Sequence, residues 1–123
     1  MDFDPKGPGQ WGVAASDPVA SVVGAVASQE AAYTTGWNDA SRHAQWSADM
    51  AQTVGEDRAK AVADAHEVSH PNDKAEQTMD LMNNHNGRVL GAAMPSLSGK
   101  EIAEKALARD MLQTTPPNPA PFR

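Results

Sequence analysis

His66-Glu67-Val68-Ser69-His70 satisfies the pattern H-E-x-x-H. On a helix this spacing sets two imidazoles one turn apart on one face. Both can then ligate a zinc ion, while the glutamate between them takes a proton from water. Here the second histidine is followed at once by Pro71. Proline disfavours helical geometry in the residue before it, so His70 stands where a helix frays. A third ligand for a zinc-peptidase site would have to come from Glu76, Asp80 or His85. No stretch alternates between apolar and polar residues, so the chain offers no sheet edge for a peptide substrate. The other reading is that His66 and Glu67 belong to a different site and His70 is incidental.

Helical periodicity indicates what that other site contains. Ala40, His43, Ala44, Ser47, Ala51 and Val54 recur at the spacing of one buried stripe. His43 lies on it, Trp46 and Met50 flank it, and Arg42 is one step round. Ala59, Val62, Ala63 and His66 form a second stripe, with Glu67 beside it. In a third segment Ala75, Met79, Met82 and Leu90 are apolar. Beside them run Asp80, Asn84 or Asn83, Gly87 and Gly91. A glycine in mid-helix costs about 1 kcal/mol relative to alanine. Two of them on a polar stripe signal the close approach of a neighbouring helix or a ligand.

Three consecutive helices therefore turn polar groups inward. One explanation is a hydrogen-bonded core network, since buried polar groups must be paired. The other is a site: His43, His66 and Asp80 converging on a divalent metal, Zn²⁺ or another borderline ion, or acting as an acid–base set with no cofactor. His43, His66 and Glu67 would then be catalytic, with Glu67 as general base. Asn83, Asn84 and Arg88 would orient substrate or hold developing negative charge. Arg42 would share that role or pair with a carboxylate. Trp46 would be a pocket wall or plain core.

The elements that must position these residues are legible from local signals. Residues 1–15 read as a flexible arm rich in Gly, Pro and Asp. Ser16-Asp17-Pro18 opens a helix over 17–34, apolar but built of small residues, which Gly36 ends. Asn38 or Asp39 caps a second helix that stops at Gly55. A third runs from Glu56 to Ser69. Asn72 caps a fourth, from Asp73 to about Ala93. Ser98-x-x-Glu101 is a capping box opening a fifth, to about Gln113. The Pro-rich tail, 114–123, reads as extended. The expectation is an all-α bundle of four to five helices, one domain over 16–113.

Composition bounds the class further. The 123 residues hold no cysteine, which excludes disulfides, thiolate nucleophiles and Cys-based zinc sites. Leu, Ile, Val and Phe fall well below the roughly 20% typical of folded chains, so the core must lean on alanine. A net charge of −6 argues against a nucleic-acid surface. The first residues lack the basic and apolar regions of a signal peptide, and no apolar run reaches membrane-spanning length.

The segment "NDASRHAQWSADMAQTVGEDRAKAVADAHE", followed by "AEQTMDLMNNHNGRVLG", resembles an uncharacterised bacterial domain family. Its pattern reads D-A-x-R-H-x-x-W, then A-D-x-H-E, then M-D-L-x-N-N-x-x-G-R, and it covers about residues 38–91. It is similar to domains at the C-termini of polymorphic toxins and other secreted multidomain proteins. The resemblance singles out Arg42, His43, Trp46, His66, Glu67, Asp80, Asn83, Asn84, Gly87 and Arg88. It includes no second histidine at His70. It implies a bacterial effector held in the cytoplasm until a dedicated system exports it, with a delivery protein, a parent polypeptide or an immunity protein as partner. A hydrolase of a cell-envelope substrate is the expected function, and a non-enzymatic helical adaptor is the rival.

Overall fold

A computed structural model describes residues 16–35, 39–69, 74–112 and 114. Five helices follow in order: α1 (Pro18–Thr35), α2 (Asp39–Val54), α3 (Glu56–Ser69), α4 (Lys74–Ala93) and α5 (Gly99–Ala108). The described residues contain no strand. The small all-α bundle expected from periodicity is the fold. None of the helices is long and apolar enough to cross a membrane.

Local chemistry sets most helix ends. Pro18 opens α1, and the Asp17 carboxylate accepts the backbone N–H of Ala20 at 3.2 Å, capping the first turn. Gly55 adopts φ +91°, which ends α2 and turns the chain directly into α3. Ser98 caps α5 through a reciprocal capping box with Glu101. The expected run of α5 to about Gln113 is not what forms. The helix ends at Ala108, Asp110 takes φ 61°, and the Met111 N–H returns to the Ala106 carbonyl at 2.9 Å. Aspartate tolerates this left-handed turn, and the reversal lets Leu112 bury. The expected arm, the caps at Asn38 and Asn72 and most of the tail lie outside the described residues.

α2 is the hub. It packs against every other helix, most extensively against α4. On one side, Trp46 and Met50 of α2 meet Ala20, Ala27 and Ala31 of α1 and Ala59, Val62 and Ala63 of α3. The Trp46 indole N–H donates to the Gly24 carbonyl at 2.8 Å, which satisfies its polar atom inside that core. On another side, Ala40 and Ala44 meet Ala103 and Ala106 of α5 and Leu112.

Between these cores α2 and α4 run very close. A methyl on Gly87 would overlap the Ala44 backbone carbonyl, and one on Gly91 would lie 2.8 Å from Ala48 Cα. The glycines thus serve a helix–helix crossing. Gln52 reinforces it by donating to the Gly91, Met94 and Leu97 carbonyls at 2.8–3.3 Å, which covers the open C-terminus of α4.

Candidate functional site

The α2–α4 crossing places a band of polar side chains in the interior. His43, Gln45, Ser47, His66, Glu67, Asp80, Asn83, Asn84 and Arg88 are all buried. α2 supplies His43, α3 supplies His66 and Glu67, and α4 supplies Asp80, both asparagines and Arg88. Burying this much polarity in a bundle with so few large apolar residues is costly unless the groups satisfy one another or a ligand.

Three of them form a compact group that could hold a metal ion. His43, Glu67 and Asp80 each offer one metal-binding atom, and the three atoms lie within 4.8 Å of one another. His43 Nε2 is 3.3 Å from Asp80 Oδ1, and His43 Nδ1 is 3.9 Å from Glu67 Oε1. Asn84 links two of these groups. Its Oδ1 lies 2.9 Å from His43 Nδ1, and its Nδ2 donates to Glu67 Oε1 at 3.4 Å. With the amide in that orientation, His43 carries its hydrogen on Nδ1 and donates it to Asn84. Nε2, the nitrogen facing Asp80, keeps its lone pair. Metal-ligating histidines are set up in this way, with the distal N–H held by an outer partner. A proton on Nε2 would instead make His43 an imidazolium paired with the carboxylates.

The expected metal set named His43, His66 and Asp80. Among the described residues the group that converges contains Glu67 rather than His66. His66 is buried one position earlier and packs edge-on against Trp46, ring centroids 5.3 Å apart. The His43 ring also lies edge-on to Trp46, with centroids 6.4 Å apart. Successive residues on a helix point about 100° apart, so one step along α3 separates the carboxylate at the set from the imidazole at the tryptophan. His70 lies outside the described residues.

The expected substrate-orienting residues fall in different places. Trp46 is fully buried in the apolar core. Asn83 and Asn84 are completely enclosed, and Arg42 is half-buried. Arg88 is only 4% exposed, yet its Nη1 is buried with no hydrogen-bond partner among the described residues. Burial pulls the Arg88 guanidinium below its ordinary value, and the charges of Asp64 and Glu56 act in the opposite direction.

Periodicity alone gave no sign of a cleft of about 400 Å³ between α3 and α4, lined by Lys60, Asp64, Glu67, Gln77, Leu81, His85 and Arg88. Its lining follows an i, i+4, i+7 row on α3 and an i, i+4, i+8, i+11 row on α4, a signal readable only once the helices are known to be neighbours.

No curated protein and no solved structure matches the chain. A family model does match residues 19–115, which extends the resemblance over α1 and α5 and takes in the whole bundle. The chain belongs to that family, the domain of unknown function DUF6973.

Proposed function

We propose that this domain is a metal-assisted hydrolase of the bacterial effector or toxin type, acting on a cell-envelope substrate. The observation that carries the reading is the buried His43–Glu67–Asp80 set, three potential ligand atoms within 4.8 Å of one another on residues only 3–4% exposed. One imidazole and two carboxylates suit Zn²⁺ or another borderline divalent ion. Such an ion acts as a Lewis acid and makes water more acidic.

The chain's own residues have separable tasks in this reading. His43, Glu67 and Asp80 would hold the cation, and Glu67 would also serve as the general base toward water. Asn84 fixes the His43 ring and the Glu67 carboxylate at once. His66 and Trp46 hold the end of α3 in place. The acidic net charge favours an envelope target over nucleic acid. Delivery by a dedicated export system, a parent polypeptide and an immunity protein as partner belong to the same proposal.

The rival is a non-enzymatic helical module in which the His43–Asn84–Glu67 chain is architecture. Those hydrogen bonds favour it, because they partly satisfy the buried groups without a metal. Zinc titration by calorimetry separates the two. The expected outcome is one bound ion per chain, with affinity reduced about a hundredfold in Glu67→Gln and Asp80→Asn while the thermal midpoint of each metal-free variant moves only about 5 °C. A wild-type chain that takes up neither zinc nor manganese at neutral pH would overturn the metal-assisted reading.

A further inference from the structure

We infer that the α3–α4 cleft is the substrate-binding cleft of this site and that it takes an oxyanion, a phosphate or carboxylate group, on Arg88. The inference rests on the metal-site reading for the reaction but stands on its own observations.

The first is geometric. Glu67 belongs both to the ligand set and to the cleft wall, so a group entering the cleft from solvent arrives at the site. The second is the state of Arg88. It lines the same cleft, is 4% exposed, and its Nη1 finds no acceptor among the described residues. A buried guanidinium N–H without an acceptor is costly to leave unmade. A two-oxygen anion matches the planar fork of guanidinium N–H groups better than a neutral group does.

The third observation is the charge inventory of the cleft. Lys60 pairs with Asp64 one turn on, so these two offset each other at the rim. A divalent cation on Glu67, Asp80 and neutral His43 would be offset by the two carboxylates. Arg88 is then the one charge lining the cleft without a counter-charge in hydrogen-bond contact among the described residues. Asp64 and Glu56 act on it only through longer-range attraction. Leu81, with His85 beside it, gives the cleft an apolar shoulder for the rest of a substrate.

The test titrates phenyl phosphate and, separately, benzoate into ¹⁵N-labelled protein loaded with zinc, followed by amide shifts. The two probes share an aromatic ring and differ in the anion, so they separate phosphate from carboxylate recognition. The expected result is saturable binding of at least one probe, with the largest shifts at Gln77, Leu81, His85 and Arg88. Arg88→Gln should weaken it about tenfold or more, Arg88→Lys less, and Lys60→Gln no more than about threefold.

Three outcomes would overturn the assignment: neither probe binding, shifts centred elsewhere, or equal affinity for wild type and Arg88→Gln. If Arg88→Gln does not fold, the location of the wild-type shifts decides alone. Zinc uptake is measured first. Its absence sinks the metal reading by itself, and the titration then runs on the metal-free chain with the same criteria.

Discussion

The two sides of α3 solve the same problem with opposite materials. Toward α1 and α2 it presents Ala59, Val62 and Ala63 to Trp46 and Met50, a core in which the indole N–H donates to the Gly24 carbonyl. Toward α4 it presents Glu67, which meets His43, Asn84 and, through the ligand set, Asp80. The first contact removes apolar surface from water and depends on shape. The second buries charge and depends on each partner being present. A domain that needed only to fold would gain from extending the first kind. The second kind puts the Glu67 carboxylate and the Arg88 guanidinium on the wall of a cleft, so the contrast marks where the bundle departs from a purely apolar core.

The largest effect that would sharpen this comparison comes from the apolar side. Trp46→Ala should destabilise by about 3–5 kcal/mol, because it empties the centre of the α1–α2–α3 core and removes the indole hydrogen bond to the Gly24 carbonyl. Chemical denaturation measures it. A loss below about 1 kcal/mol would mean that the alanine-lined core collapses around the gap, and that this side contributes less than its burial implies.

The polar side should respond differently to a change of comparable size. Asn84→Ala removes the amide that bridges His43 and Glu67 and leaves both buried groups short of a partner. It should cost about 1–3 kcal/mol of stability and weaken zinc binding by about 10- to 100-fold. Denaturation and calorimetry on the same preparation read both effects. Loss of stability with unchanged zinc affinity would break the comparison, since Asn84 would then be structural only.

The smallest expected effect lies at the surface, where α3 is tied to the start of α1. Arg58 donates to both Asp17 oxygens at 2.7 and 2.8 Å. That pair, with the Ala20 N–H second, lowers the Asp17 carboxyl from 3.8 to about 2. A carboxyl depressed in the folded state stabilises the fold above its unfolded value, and the contribution is lost as pH falls through the folded one. Arg58→Gln should therefore flatten the fall of the thermal midpoint between about pH 4 and pH 2 and change it by less than about 2 °C at pH 7. Parallel curves for the two proteins would show that the exposed pair contributes nothing.

Much of this fold was readable because its punctuation is local. Pro18, Gly55 and the Ser98–Glu101 box act within four residues of themselves, so the ends of α1, α2 and α5 that they control needed no tertiary information. The end of α5 did need it. Arg109–Asp110 carries no proline or glycine, and the reversal follows from burying Leu112 against α2 and α5. The inward polar residues were legible in the same way, because period 3.6 reports which face is buried.

What the sequence by itself determined is therefore the set: all-α, four to five helices, and the polar residues they turn inward. Tertiary structure alone decided the partners within that set. Whether His66 or Glu67 meets His43 and Asp80 depends on how α3 is rotated about its axis against α2 and α4. That rotation is fixed by packing across helices far apart in the chain, where a one-residue step changes direction by about 100°. Arg88 follows the same logic: its type is written in the chain, but only the packed helices decide that its guanidinium is buried and left without an acceptor beside a cleft.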